Sequence, residues 1–300
     1  MSWVNRNIDW LVMTFLVAAW GSAFAGLKIA VEDIHPYWTS AGRLWVASGV
    51  LWLLCAARGE QLPAFSVGRD SPWVWFAVLG LVGMAIPFFM FATAATSLPS
   101  AVNAICNGAS PVFTVAMAHV FLADEKLSGR RLLGVLLGFS GLVVLVGPRL
   151  LAGVTIEAAA LGLAIGAAFL YAASNVITRK APQVSSTAGA LMMCFSGAVL
   201  ATLGALVLEG PPAVPPLRGL AVVTALGVVS TGLGTVGYVW LIQRRGPVFT
   251  AMTIYLVPLW ATALGIGLMG ERPGWTAFAA LALILGGVAL TNARWRKAQA

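Results

Sequence analysis

Long apolar runs separated by short polar segments are the feature that most limits what this chain can fold into. One run, Leu132 to Val146, contains no charged residue. A bilayer core about 30 Å thick requires about 20 mainly apolar residues for one helix. Because 60% of the 300 residues are hydrophobic and 9% are charged, such helices account for most of the chain and leave no room for a separate soluble domain.

Charged residues, prolines and glycines divide the sequence into ten apolar segments. We therefore predict an all-α polytopic membrane protein with ten transmembrane helices. In chain order the predicted spans cover residues 9–31, 37–57, 72–94, 101–122, 130–148, 157–178, 187–208, 217–242, 249–269 and 274–293. The first run has no small-residue cleavage pattern, so we expect it to remain as a helix rather than to be removed as a signal peptide.

The basic residues predict the orientation of these helices. With a cytoplasmic N-terminus, thirteen of the eighteen Lys and Arg residues fall on the inner side and three in outer loops. This asymmetry favours cytoplasmic positions for both termini. The basic residues are scattered between apolar runs and form no patch, so we expect a lipid bilayer and not a nucleic acid as the macromolecular surroundings.

The two halves of the sequence share one pattern of landmarks. Pro99, Pro111, Glu125 and Gly141 follow one another at intervals of 12, 14 and 16 residues, and Pro247, Pro258, Glu271 and Gly287 at intervals of 11, 13 and 16. We predict two repeats, residues 1–150 and 151–300, with five helices each. Because five is odd, the second repeat enters the membrane from the opposite side, and the repeats are inverted.

Several motifs resemble those of a known transporter family. They are Trp20 to Phe24, Pro111 to Thr114, Phe121 to Leu127 and Leu133 to Val146 in the first half, and Tyr255 to Pro258, Gly270 to Arg272 and Leu285 to Leu290 in the second. Together they resemble the EamA-type repeat of the drug/metabolite transporter superfamily. Within it the chain is most similar to ten-helix bacterial exporters of amino acids and related metabolites, including aromatic amino acid exporters. The resemblance implies a cavity between the repeats and a place in the bacterial inner membrane.

Polar residues recur at helical spacing in four predicted spans. The sets are Asn103, Asn107 and Ser110 in span 4, Tyr171, Asn175 and Thr178 in span 6, Thr231, Thr235 and Tyr238 in span 8, and Tyr255 and Thr262 in span 9. Residues at these spacings lie on one face of a helix. We predict that the faces line one cavity for a small-molecule substrate, an amino acid or metabolite. The alternative is hydrogen bonding between packed helices.

Two charges and two aromatic residues complete the predicted site. Lys28 and Arg43 lie in the outer parts of spans 1 and 2, where either is placed to attract a substrate carboxylate. The alternative is that they extend to outer headgroups or pair with acidic residues after span 1. Trp20 and Tyr171 occupy corresponding positions in spans 1 and 6 and are expected to bracket an apolar side chain. Phe88, nearby in span 3, is interpreted as core packing.

The acidic residues predict the coupling mechanism. All ten lie in predicted loops or at span ends, so no carboxylate is available inside the membrane to carry a coupling ion. We therefore predict uniport by alternating access. The alternative is a proton-coupled multidrug or metabolite antiporter, in which His119 has a suitable pKa. A membrane enzyme acting on lipid would need a nucleophile or metal cluster that we do not find in the sequence, so we expect neither enzymatic activity nor a cofactor.

Other recurring residues are given structural roles. Glu125 and Glu271 each precede a helix. A carboxylate in this position can accept hydrogen bonds from the free N–H groups at the start of that helix. The glycines of spans 5 and 10 are expected to let these helices pack closely: Gly134, Gly138, Gly141, Gly286 and Gly287. The cysteines are expected to be small buried side chains: Cys55, Cys106 and Cys194. The oligomeric state stays open, and a monomer is compatible with the sequence.

Overall fold

The computed structural model describes residues 3–122, 128–151 and 155–292, with side chains except at 3–6, 149–150, 155, 242–243, 246–252, 255 and 291–292. The regular elements of these residues are all helical. In chain order they are α1 (Trp3–Asp33), α2 (Pro36–Ala57), α3 (Pro72–Gly80), α4 (Ile86–Ser97), α5 (Ser100–Asn107), α6 (Ser110–Phe121), α7 (Gly129–Leu151), α8 (Thr155–Thr178), α9 (Ser186–Leu208), α10 (Leu217–Ala225), α11 (Gly234–Met269) and α12 (Trp275–Asn292). One π-helical segment joins α3 to α4 (Leu81–Ala85), and another joins α10 to α11 (Leu226–Leu233).

Eight helical segments of the described residues are long and apolar enough to cross a membrane. Two shorter apolar helices follow them, Leu256–Met269 and Trp275–Leu290. The ends of these ten segments lie within three residues of the predicted ends, except that the ninth begins at 256 rather than 249. The prediction of an all-α polytopic membrane protein is confirmed, and the count of ten spans stays a prediction.

Prolines and polar caps determine where several helices begin. Pro36 and Pro72 are the first residues of α2 and α3, where a backbone N–H has no partner within the helix. Ser185 precedes α9, and its Oγ accepts the N–H of Ala188 at 3.2 Å. Pro111 follows the short break between α5 and α6, so this span is divided near its middle.

The two π-helical segments occupy equivalent places in the two predicted repeats. Each begins after a nine-residue α-helix, α3 in one case and α10 in the other. Each therefore interrupts the third span of its repeat at the same depth. A π turn widens the helix and leaves backbone carbonyls without their usual partners, and such turns are frequent at functional sites.

Helix α11 folds back along α1 and does not run straight. A straight helix of its 36 residues would be about 54 Å long, far more than a bilayer core requires. In its first arm, residues 234–241, Gly234 lies against Trp20. Just beyond that arm, Arg244 pairs with Asp9 near the start of α1. The first arm therefore runs antiparallel to α1.

The second arm of α11, residues 256–269, returns in the opposite direction. Its Trp260 lies against Gly21 and donates a hydrogen bond to Ser22 at 3.0 Å, more than half-way along α1. A reversal between the arms is needed to bring both onto the same helix. This arrangement agrees with the separate eighth and ninth spans predicted from the sequence.

Contacts at the ends of the helices join segments that the predicted topology puts on one side. We call the end of the bundle at which α1 begins the inner end, and the opposite end the outer end. At the inner end Arg58 donates to Thr187 at 3.1 Å, which joins α2 to α9. At the outer end Arg218 pairs with Glu32 at 2.8 Å, which joins α10 to α1.

Helices α7 and α12 pack against each other through glycines. A Cβ atom on Gly287 would lie 2.5 Å from the carbonyl oxygen of Gly134 and 2.6 Å from the backbone nitrogen of Gly138. A Cβ atom on Gly141 would lie 2.9 Å from Ile284. The predicted packing role of Gly141 and Gly287 is confirmed, because a side chain on either would separate α7 from α12. A Cβ atom on Gly138 would instead lie 2.5 Å from Val112 of α6. Gly286 is less constrained, since its nearest contact would be 3.4 Å away.

Candidate substrate cavity

A cavity of about 520 Å³ lies in the middle of the helix bundle. Its described lining comes from every predicted span except the fifth. Seven of the eleven predicted site residues line it: Trp20, Arg43, Asn107, Ser110, Tyr171, Asn175 and Thr235. The cavity is therefore formed by both halves of the chain, as the sequence predicted.

Polar faces of predicted spans 4, 6 and 8 meet in this cavity, and Thr231 and Thr235 are the contribution of span 8. The break between α5 and α6 directs Asn107 and Ser110 into it from one side. Helix α8 contributes Asn175, whose amide donates to the Thr114 hydroxyl at 3.3 Å across the gap between α8 and α6. The Oδ1 atom of Asn107 is buried and has no hydrogen-bond partner. A buried acceptor without a partner is unusual, and in a side chain that lines the cavity it calls for a donor that the protein itself does not supply.

Trp20 is held in place by the second π-helical segment. Its indole N–H donates to the backbone carbonyl of Ser230 at 2.8 Å. The Ser230 hydroxyl in turn donates to the carbonyl of Ala19 at 2.9 Å. These two bonds connect α1 to the π segment and fix the ring at the cavity wall.

Aromatic rings form another part of the wall. The Tyr171 ring lies 5.6 Å from that of Phe91 and 6.5 Å from that of Phe88, measured between centroids. Phe91 also meets Phe24 edge to face at 5.9 Å. Such a group of rings offers an apolar surface of defined shape to a ligand side chain.

Arg43 points into the cavity from α2. Its Nε donates to the hydroxyl of Thr231 at 2.8 Å, and its guanidinium carbon lies 4.4 Å from the centroid of the Phe88 ring. Among the described residues no carboxylate lies within ion-pair distance of it. The alternative in which Arg43 pairs with acidic residues after α1 is wrong, because Arg218 pairs with both Glu32 and Asp33.

Three predicted site residues do not line the cavity, and the side chain of a fourth is not described. Lys28 donates to the carbonyl of Leu98 at 3.0 Å, at the outer end. Asn103 is fully buried and donates to the carbonyl of Phe91, because α4 covers this turn of α5. Tyr238 packs against Trp20 at 5.3 Å and lies outside the lining. The side chain of Tyr255 lies outside the described ones, although its neighbour Ile254 is part of the lining.

Sequence reasoning missed other lining residues. Phe88 was interpreted as core packing but contacts the Arg43 guanidinium at the cavity. Thr114 and Ser174 line the cavity as well. Thr114 continues the predicted polar face of span 4 by one turn, and Ser174 adjoins that of span 6, so an extended periodicity would have found both.

Glu271 has the expected chemistry but a different partner. Its carboxylate oxygens accept the backbone N–H groups of Ser100 at 2.6 Å and Ala101 at 3.1 Å. It therefore caps α5, in the other half of the chain, rather than α12, which follows it. Glu125 lies outside the described residues.

The described histidines and cysteines do not line the cavity. None of the described acidic residues lines it. Asp9 is fully buried at the inner end, between Arg244 and Arg245. His119 is exposed near the end of α6. All three cysteines are buried and form no disulfide, and within the described ranges no three His, Cys, Asp or Glu residues group as a metal site.

Comparison with known proteins gives the fold and the family. A solved crystal structure superimposes with a TM-score of 0.65 over 95% of this chain and 97% of the other, at 23% identity. The uncharacterized inner membrane transporter YedA of Escherichia coli is 28% identical over 280 residues, 92% of this chain and 88% of that protein.

Two further relatives are named for their substrates. The probable terminal-alkyne amino-acid exporter of Streptantibioticus cattleyicolor is 26% identical, covering 97% of this chain and 95% of the relative. The probable amino-acid metabolite efflux pump of Escherichia coli is 25% identical, covering 97% of each. The pattern of the EamA-like transporter family matches residues 9–147 and again residues 158–293. The chain therefore belongs to the EamA-like transporter family and is a membrane transporter.

Proposed function

We propose that this transporter exports amino acids and related small metabolites that carry a carboxylate. The observation that carries the proposal is Arg43, a cation inside the membrane that faces the cavity and has no carboxylate partner among the described residues. A charge in this environment is unfavourable unless a ligand or water compensates it. A substrate carboxylate supplies that compensation through charge-assisted hydrogen bonds.

The rest of the cavity suits an amino acid. Its volume of about 520 Å³ lies within the range of small-molecule sites, about 300–1,000 Å³. The rings of Trp20, Phe91 and Tyr171 provide an apolar wall for the side chain, and the unpartnered oxygen of Asn107 is an acceptor for the ammonium group. The names of two relatives as amino-acid exporter and efflux pump support this substrate class.

Movement of substrate follows from two inverted repeats, residues 1–150 and 151–300. The double match to one family and the equivalent π segments support this division. Rocking of one repeat against the other opens the cavity to each side in turn. The asymmetry of the basic residues supports a cytoplasmic location of both termini, and the inner membrane relative supports a place in the bacterial inner membrane. A reporter fused after Ala300 should therefore signal a cytoplasmic location.

Uniport is the mechanism that the cavity favours, because no described acidic residue lines it. A proton-coupled antiporter is the second candidate, and one observation favours it. Asp9 is fully buried beside Arg244 and Arg245, so a buried carboxylate, the kind of group that such an antiporter needs, is present at the inner end.

Uptake by proteoliposomes tests the proposal. A panel of radiolabelled amino acids is supplied with and without an imposed proton or sodium gradient, and protein-free liposomes serve as the control. We expect uptake of at least one amino acid without either gradient. A strict requirement for a proton gradient would favour antiport, and uptake of none would contradict the substrate class.

A further inference from the structure

A second cavity, of about 360 Å³, lies at the inner end between α2, α9 and the first arm of α11. Its charged and hydroxyl-bearing lining residues are Arg58, Glu60, Ser185, Ser186, Thr187 and Thr235. The Arg58 side chain is 48% exposed and that of Glu60 is 23% exposed, so both are accessible from the water at this end. We call this space the inner cavity and the 520 Å³ space the central cavity.

The two cavities are neighbours along one path. Thr235 lines both of them. On α2, Arg43 lines the central cavity, whereas Leu51 and Arg58, the residue that directly follows α2, line the inner cavity. Arg43 and Leu51 are eight residues apart, and Leu51 and Arg58 are seven residues apart. The three residues therefore lie near one face of the helix, with about two turns between one and the next. The two guanidinium-bearing positions are about 22 Å apart along the helix axis.

The two charges of the inner cavity form a loose ion pair. Arg58 Nη1 and Glu60 Oε1 are 3.8 Å apart, which is too far for a hydrogen bond. The first turn of α9 holds each of them instead: Arg58 donates to the Thr187 hydroxyl, and Glu60 accepts from the Ser185 hydroxyl. Arg58 keeps further N–H donors and Glu60 keeps Oε1. A cation and an anion therefore remain side by side, each with capacity for a ligand.

We infer that the inner cavity is a loading site that binds the zwitterion of an amino acid before the amino acid moves to Arg43. The inference rests on the proposed function. The substrate carboxylate binds Arg58, and its ammonium group binds Glu60. The first turn of α9 carries no acidic residue, so its positive dipole end adds to the attraction for the carboxylate. Passage beside Leu51 and Thr235 then transfers the carboxylate from one arginine to the next.

Substrate analogues separate this role from a structural one. The best-transported amino acid of the uptake panel is the labelled substrate, and its decarboxylated amine and its deaminated acid are the competitors. We expect Arg58→Gln to raise the inhibition constant of the acid about tenfold and to leave that of the amine within twofold. We expect Glu60→Gln to have the converse effect. Arg69→Gln and Asp70→Asn, in the same loop but outside both cavities, are the matched controls.

The results have distinct meanings. Equal changes for both competitors, or no change, would overturn the loading site, because a residue that only joins α2 to α9 cannot distinguish an amine from an acid. If Arg58→Gln does not fold, Arg58→Lys keeps the charge and should raise the constant of the acid alone, about threefold. Failure of the parent protein to take up any amino acid would instead contradict the proposed function.

Discussion

The pair formed by α7 and α12 and the wall formed by α2, α8 and the second π segment use small and polar residues for opposite purposes. In the helix pair, Gly134, Gly138 and Gly287 bring two backbones together and leave no space. In the wall, Arg43 and Tyr171 surround an open volume. The glycines of the helix pair recur at helical spacing in the sequence, and so do Tyr171 and Asn175 of the wall. The comparison teaches that spacing identifies a face of a helix, whereas residue chemistry indicates whether that face is filled by another helix or by a ligand.

The largest expected effect belongs to the helix pair. Gly287→Leu would place a Cβ atom 2.5 Å from the Gly134 carbonyl oxygen, and backbone atoms cannot move aside as a flexible side chain does. We expect destabilisation of about 3 kcal/mol or more and little folded protein, measured as the melting temperature and the monodisperse yield in detergent. The matched control is Gly162→Leu on α8, where nothing lies within 4 Å.

The second effect belongs to the wall. Arg43→Gln removes the cation that faces the central cavity, and hydrogen bonds to charged groups contribute about 1.5–3 kcal/mol, equivalent to about 10- to 150-fold. We expect uptake of the preferred amino acid to fall by that factor, with a melting temperature within a few degrees of the parent. Arg218→Gln, at the exposed outer ion pair, should transport normally. A large loss of stability with normal transport per folded molecule would make Arg43 a packing residue.

The sequence predicted the helices closely because membrane spans are defined by length and composition. It also predicted the polar faces that meet at Asn107, Tyr171 and Thr235. It did not distinguish Arg43 from Lys28, because both are cations near the outer ends of neighbouring spans. Which of the two cations enters the cavity depends on the three-dimensional positions of their hydrogen-bond acceptors. These are the Thr231 hydroxyl for Arg43 and the Leu98 carbonyl for Lys28.

Partners that are distant in sequence explain the other errors. The sequence predicts that Glu271 caps the helix that follows it. Its carboxylate instead accepts hydrogen bonds from the backbone N–H groups of Ser100 and Ala101, which are 171 and 170 residues away. Phe88 was assigned to the core because an apolar ring gives no sign of a cation above it. The periodicity of a helix identifies its polar or apolar face, but it does not indicate which other helix packs against that face.

Two asparagines one turn apart sharpen the comparison within a single helix. Asn107 lines the cavity with an unpartnered Oδ1, so Asn107→Ala should lower transport about three- to tenfold without lowering the melting temperature. Asn103 donates to the buried carbonyl of Phe91 at 3.0 Å, so Asn103→Ala should destabilise by about 1 kcal/mol. Transport per folded molecule should stay normal in that variant. Thermal unfolding and uptake rates measured on both proteins would reveal the reverse pattern if the assignments were exchanged.

The smallest expected effect belongs to Lys28. Its ammonium group donates to the Leu98 carbonyl at 3.0 Å, between α1 and the turn before α5, and does not line the central cavity. Lys28→Met keeps the length of the side chain and removes one hydrogen bond at the outer end, so we expect a loss of stability of about 1 kcal/mol or less. The apparent affinity for the amino acid should stay within twofold of the parent, measured as the KM of uptake. A tenfold rise in KM at unchanged melting temperature would place Lys28 with Arg43 as a second carboxylate ligand. The substrate site would then have to extend further toward the outer end of α1.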